Sequence, residues 1–115
     1  MHERSVVRAL FSHVSDLLAA RGACRVISIR VRLGAFAGVE PVLFRLAFEN
    51  MRQSSPFRDT TLNMETVDLE ARCRDCGREF RVQSFEFVCP HCGGGKTDVI
   101  RGEDVTLESV TIEDN

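Results

Sequence analysis

Cysteine occurs in this chain as Cys73-Arg74-Asp75-Cys76-Gly77 and again as Cys89-Pro90-His91-Cys92-Gly93, with twelve residues between Cys76 and Cys89. No other feature of the 115 residues narrows the folding possibilities as far. Two residues between cysteines let a tight turn aim both sulfurs at one ion. The glycine after each pair accepts the positive φ that such a turn requires. Two such knuckles face to face complete a tetrahedral four-thiolate shell with zinc–sulfur distances of about 2.3 Å. The spacing therefore predicts a zinc site at Cys73, Cys76, Cys89 and Cys92. A closed shell has no open position for water, so the site reads as structural, not catalytic. Residues 73–95 are rich in Cys, Gly and charge and too short to bury a core of their own. Metal must supply the folding energy there.

Rival readings of the cysteines are weaker. An odd count of five in a reducing compartment argues against disulfides. A thioredoxin-like redox pair needs a strand-to-helix context, which neither Cys-x-x-Cys has, and it leaves the second pair unexplained. His91 lies inside a knuckle, but four cysteines already suffice, and it reads as solvated. Cys24 stands apart from the pairs and reads as a small buried strand residue.

Around the knuckles the chain patterns as an ordinary globular domain. Val6, Val7, Leu10, Phe11, Val14, Leu17 and Leu18 recur at three- and four-residue steps, which predicts a helix over 5–21 ending at Gly22. Residues 24–33 alternate, with Ile27, Ile29, Val31 and Leu33 on one side and Ser28, Arg30 and Arg32 on the other; that is a half-buried strand. Gly34 to Gly38 reads as a turn. Pro41 suits the first turn of a second helix, striped by Leu43, Phe44, Ala47, Phe48 and Met51 and ended by Ser54-Ser55-Pro56. A strand follows at about 61–71, and its phase flips near Thr66, which predicts a bulge or a strand that changes sheets. After Gly93-Gly94-Gly95, apolar pairs at Val99/Ile100, Val105/Leu107 and Val110/Ile112 are strand-like again. The expected fold class is α+β: a small sheet with two helices, interrupted by a zinc ribbon. The expected organisation is 1–70 as the first part of the main domain, 71–97 as the inserted ribbon, and 98–115 as a strand returning to the main domain.

Length and charge exclude several functions. No apolar run approaches the roughly 20 residues that span a bilayer, and Met1-His2-Glu3-Arg4 leads into an amphipathic pattern, not a signal-peptide core. A cytoplasmic protein without membrane contact is expected. The formal charge of −2 gives no pull toward nucleic acid. A zinc-ribbon nucleic-acid adaptor is still the alternative reading. Arg72, Arg74, Arg78 and Arg81 cluster in the ribbon, and Phe80, Phe85 and Phe87 have the faces to stack on bases. Glu70, Asp75, Glu79 and Glu86 are interleaved and cancel much of that field, so the arginines read as a solvated surface and the phenylalanines as packing beneath the ribbon.

Met1-His2-Glu3 alone would read as a solvated terminus. Together with Arg32-Leu33-Gly34-Ala35, Gly38-Val39-Glu40-Pro41, Phe44, Ala47-Phe48-Glu49, both knuckles and the closing Gly102-Glu103-Asp104-Val105, it is far more specific. In order and spacing the chain resembles the HypA/HybF family of hydrogenase nickel-incorporation proteins along essentially its whole length. The resemblance implies a metallochaperone, not an enzyme, that carries nickel to a [NiFe]-hydrogenase precursor. It implies as partners the hydrogenase large-subunit precursor and a nickel-handling accessory GTPase, and for some relatives urease maturation factors, with no nucleic acid. It also implies a nickel site at Met1, His2 and Glu3.

The chemistry at that terminus is coherent. Nickel(II) favours square-planar nitrogen ligation. The Met1 α-amine and the His2 amide nitrogen form a five-membered chelate, and the His2 imidazole closes a six-membered ring through Nδ1. In the family the fourth nitrogen is ascribed to the Glu3 amide. A residue as large as His2 protects the initiating Met from trimming, which keeps the amine in register. The Glu3 side chain is expected to favour the start of the first helix. Glu40 is read chiefly as helix-start electrostatics, with an oxygen donor near nickel as the lesser possibility. His13 reads as solvated.

Overall fold

The structure, a computed structural model, describes residues 3–22 and 24–114. The first helix, α1, runs Glu3–Leu18 and buries Val7, Leu10 and Val14, three residues that the 3.6-residue period brings to one face. Leu17, expected on that stripe, is exposed. The helix stops at Leu18, three residues short of expectation. The Arg21 N–H bonds to the Leu18 carbonyl, and Gly22 follows with φ +80°.

Strand β1, Cys24–Gly34, is the centre of a three-stranded sheet. Its inward alternation of Ile29, Val31 and Leu33 holds as the sequence predicts. Ile27 does not: the pairing shifts register between Val26 and Ser28, a bulge that turns Val26 inward and leaves Ile27 half-buried. Cys24 is also half-buried, not fully so. Helix α2, Pro41–Met51, buries Phe44, Ala47 and Phe48. A single 3-10 turn at Arg52–Ser54 ends it. Strand β2, Thr61–Val67, then pairs parallel with β1 from Ser28↔Thr61 to Gly34↔Val67. Parallel neighbours need a crossover, and α2 supplies it. On the other side of β1, strand β6, Val105–Asp114, pairs antiparallel, giving the order β2-β1-β6.

Both helices cover one face of this sheet. The core between them contains Phe44 and Phe48, fully buried, with Phe11 edge-on to Phe48 at 5.6 Å and stacked on Phe57 at 4.7 Å. Each fully buried Phe contributes about 1.5–3 kcal/mol of transfer free energy. The other face of the sheet is charged. Arg30 and Arg32 on β1 meet Glu65 on β2 and Glu108 on β6, with N···O distances of 3.0–3.6 Å.

At Asp68 the chain leaves this sheet. Strand β3, Glu70–Cys73, belongs to a second sheet, so the phase flip near Thr66 marks a segment that changes sheets. Strand β4, Glu79–Arg81, and strand β5, Thr97–Arg101, flank β3 antiparallel in the order β4-β3-β5. Residues 98–101 therefore pair within the second sheet, and the return to the first sheet begins at Val105. Leu69, Ala71, Cys73, Phe80, Val82 and Cys89 form a separate small core, with Phe87 and Val99 at its edge. The second sheet extends the molecule to 55 × 26 × 17 Å. No helix among the described residues is long and apolar enough to cross a membrane.

Candidate metal centres

Cys73 closes β3, and the turn after it brings Cys76 back beside it. The Gly77 N–H bonds to the Cys73 carbonyl at 2.9 Å, with φ +78° at Gly77. The second knuckle repeats this: the Gly93 N–H bonds to the Cys89 carbonyl at 2.8 Å, with φ +77°. An L residue resists that conformation, so each glycine is the residue its turn demands. The first knuckle is anchored to the rest of the ribbon by bonds from Cys73 N–H to Arg78 O and from Arg74 N–H to Lys96 O.

The four sulfurs converge. Cys73 and Cys92 Sγ are 3.5 Å apart, Cys76 and Cys89 Sγ are 3.6 Å apart, and all four lie within 4.8 Å of one another. A tetrahedron with metal–sulfur bonds of about 2.3 Å has edges of about 3.8 Å. The donor set therefore has the size and chemistry of a zinc site, with two buried and two exposed ligands. The backbone supports thiolate charge unevenly. Burial pushes the Cys89 thiol up, but the N–H groups of Cys92 and His91 and the neighbouring thiols outweigh it and pull it down to about 7. At Cys92 the Gly94 N–H pulls downward, but the Cys73 thiol, burial and the other sulfurs push it up to about 12. One sulfur ionises readily and its neighbour then resists, which is how clustered acids behave until a cation compensates them. Gly94 closes the shell. A Cβ there would stand 3.3 Å from both Cys73 and Cys92 sulfurs and 2.5 Å from an Asp75 carboxylate oxygen. No signal in the sequence marks Gly94 as the residue packed against the sulfurs.

Most of the ribbon's arginines are paired with carboxylates, Arg78 being the member of the expected cluster for which no ion pair is seen among the described residues. Arg72 pairs with Glu79, Arg74 with Asp98, Arg81 with Asp68, and Arg101 with Glu70 and Glu79. The Arg74 guanidinium, hydrogen-bonded to Asp98, holds that carboxyl below its ordinary value. Phe80 is buried and Phe87 partly so, as expected. Phe85 is not beneath the ribbon. It is 73% exposed at a turn and leans on Phe36 of the β1–α2 loop, with ring centroids 4.7 Å apart. His91 and His13 are both exposed.

The nickel ligands expected at Met1 and His2 lie outside the described residues. Glu3, the third member of that set, opens α1. One of its carboxylate oxygens accepts the Glu40 N–H at 3.2 Å. Glu40 in turn is the N-cap of α2, its carboxylate accepting the Leu43 N–H at 2.8 Å. Its helix-start role is thus the one with a visible partner. The Glu3–Glu40 bond ties the start of α1 to the start of α2.

The family model described as hydrogenase/urease nickel incorporation, metallochaperone, hypA, matches residues 1–112. The chain belongs to the HypA family. It is 36% identical over 113 residues to the hydrogenase maturation factor HypA of Shewanella halifaxensis, covering 98% of each chain. It is 34% identical, with the same coverage, to the HypA of Aquifex aeolicus. Its fold is similar to the solution structure of the Ni metallochaperone HypA from Helicobacter pylori, with a TM-score of 0.72 and 26% identity over all of both chains. HypA is a family of nickel metallochaperones for hydrogenase maturation. Within it, the four-cysteine cluster of this chain fits a zinc site.

Proposed function

We propose that this chain binds nickel(II) at its amino-terminal segment and delivers it to a [NiFe]-hydrogenase precursor, while zinc in the Cys73/Cys76/Cys89/Cys92 shell holds the ribbon together. The family match over residues 1–112 is the observation that carries this reading. Two things support it in detail. The four thiolates form a closed shell, the chemistry of a resident ion. The tripeptide Met1-His2-Glu3 offers an amine, amides and an imidazole, the donor set that square-planar nickel favours. The partners in this reading are the hydrogenase large-subunit precursor and a nickel-handling GTPase in the cytoplasm, with urease maturation factors as further clients. The chain carries out no catalysis of its own. The helices with the first sheet act as the nickel unit, and the second sheet with its knuckles acts as the ribbon unit.

Calorimetry on chain with a free Met1 amine, on a form extended before Met1, and on His2→Ala tests the nickel site. The amine must lose its proton before it ligates, and its reference pKa is about 7.7–8.0. Nickel affinity should therefore rise from mildly acidic to mildly basic pH, with protons released on binding. His2→Ala should abolish tight nickel binding and leave zinc and fold intact. The extension should weaken nickel nearly as much. An extended form that binds nickel as tightly as the native one would remove the amine from the ligand set.

A further inference from the structure

Two carboxylates stand where the helices begin, and either could offer oxygen to a metal. The structure gives each another task. Glu3 opens α1, and one oxygen of its carboxylate accepts the Glu40 N–H at 3.2 Å. Glu40 directs its own carboxylate to the Leu43 N–H at 2.8 Å, as the N-cap of α2. The N–H that Glu3 accepts is held in place from both sides. Before it, the end of β1 and the loop are pinned by main-chain bonds from Gly34 N–H to Asp104 O, Ala35 N–H to Val67 O, Phe36 N–H to Gly102 O and Ala37 N–H to Gly34 O, at 2.8–3.0 Å. After it, the ring of Pro41 fixes φ at the first residue of α2, and the Phe44 N–H closes the first helical bond on Glu40 O at 2.9 Å. Glu3 is thus bonded to a rigid donor, on which sheet and helix converge.

We propose that the Glu3 carboxylate is a strut and not a nickel ligand. By its bond to the Glu40 N–H it fixes the main chain of residue 3, and through it the nickel chelate of Met1, His2 and Glu3. Glu3, through its side chain, and Glu40, through its N–H, are then positioning residues for the ion. This inference rests on the nickel reading above. Its physical basis is preorganisation. A chelate of consecutive residues closes only when the torsions between its donors are set, and a torsion set beforehand need not be ordered when the ion binds. The strut acts at the residue where the chelate runs into α1, so the ion meets a third residue whose main chain already has one orientation. Holding the carboxylate on α2 also leaves nitrogen as the donor type. Nitrogen donors suit square-planar nickel(II), whereas added carboxylate oxygens suit octahedral manganese and magnesium.

The experiment titrates nickel(II) into the full-length, zinc-loaded chain with a free Met1 amine, by calorimetry, and records the absorption spectrum of the bound ion. Glu3→Ala removes the acceptor and should weaken nickel by about tenfold, the scale of one hydrogen bond to a charged group. Glu3→Gln keeps an accepting oxygen in the same place and should recover most of that loss. Both should keep the native visible spectrum, because the donor atoms are unchanged. At position 40, proline deletes the N–H at a φ of −83° that suits its ring, whereas alanine keeps the N–H, and both lack the cap. Glu40→Pro should therefore bind nickel more weakly than Glu40→Ala, again by up to about tenfold. A Glu3→Gln chain as weak as Glu3→Ala, with a changed spectrum in both, would make the carboxylate a ligand and overturn the proposal. So would native affinity in Glu3→Ala, or equal affinities in Glu40→Pro and Glu40→Ala. Zinc content and circular dichroism check the fold of each variant; if Glu40→Pro does not fold, the Glu3 pair decides. Amide exchange at Glu40, slow in the native chain and in Glu3→Gln and faster in Glu3→Ala, reads the bond itself without nickel. The nickel reading fails differently, by absence of nickel binding to a native chain whose Glu40 amide is protected.

Discussion

Gly34 and Gly102 meet where the two sheets join, and their substitution by alanine tests the packing of that junction. The end of β1 lies against the link between β5 and β6. The Gly34 N–H bonds to Asp104 O at 2.9 Å, and the Phe36 N–H bonds to Gly102 O at 2.9 Å. A Cβ on Gly34 would stand 2.4 Å from the Gly102 carbonyl carbon and oxygen. A Cβ on Gly102 would stand 2.5 Å from Asp68 O and Leu69 Cα, and Gly102 has φ +99° besides. These neighbours are backbone, so no rotamer change relieves them. Gly22 is the natural control, because its φ is +80° but an added Cβ meets nothing within 4 Å.

The three positions separate the two costs. Gly22→Ala carries the conformational cost alone, about 1–2 kcal/mol for an L residue in left-handed space. Gly34→Ala carries overpacking alone, about 1–3 kcal/mol. Gly102→Ala carries both, roughly 2–5 kcal/mol together. Against a total stability of about 5–15 kcal/mol for a domain, the last is severe. Urea unfolding of the zinc-loaded proteins, followed by circular dichroism, should rank the losses Gly102→Ala, then Gly34→Ala and Gly22→Ala. Hydrogen exchange should place the added opening at Val67–Leu69 and Gly102–Val105. A Gly102→Ala protein no less stable than Gly22→Ala would refute the close approach of the two backbones.

Zinc removal should act locally. Cys73→Ser, or a strong chelator, should reduce bound zinc from one per chain to none and open amide exchange across 70–101, while α1, β1 and α2 keep their protection, because the metal supplies most of the ribbon's folding energy; an intact ribbon without metal would contradict the shell. The turn at Ser84 and Phe85 has φ +52° and +59°, a conformation that suits Asn and Gly. Ser84→Asn should therefore raise the melting temperature of the zinc-loaded chain, by up to about 1 kcal/mol of stability. Phe85→Gly relieves strain but forfeits the Phe36 contact, itself about 0.5–1.5 kcal/mol, so its net effect should be small. A clear loss in Ser84→Asn would mean the turn is not left-handed.

Much of this architecture is legible in the sequence because its causes are local. The stripe of α1, the alternation after Ile29, Pro41 at the head of α2 and the glycine after each cysteine pair are all set by residues within a turn or two of each other. The phase flip near Thr66 is local too, and it marks where the chain trades one sheet for the other. What escapes is decided by distant partners. Ile27 continues the alternation perfectly, and only the β6 register makes it a bulge. Val99 and Ile100 look like the residues of β6, and nothing near them says that they belong to β5, where Val99 pairs with Ala71 of β3 and Ile100 falls at a register shift. Leu43 sits one residue from Phe44 and fits the same stripe within the tolerance of a helical wheel, yet it lies on the exposed side of α2. Phe85 resembles Phe80 and Phe87 in type, but the Gln83↔Glu86 bridge lifts it onto a turn and out of the small core.

The contrast between the two metal positions has a physical logic. A resident ion must not leave. In the proposed zinc site the ligands come from two knuckles that are far apart in the chain, each hydrogen-bonded internally and the first closing β3, so releasing the ion would mean unfolding the ribbon. A delivered ion must leave. In the proposed nickel site the donors are the consecutive residues Met1, His2 and Glu3, the last of which opens α1, and a chelate of consecutive residues can be surrendered one donor at a time. The Glu3–Glu40 bond fixes the first residue of α1 against the cap of α2, so the packed structure has a defined anchor at Glu3.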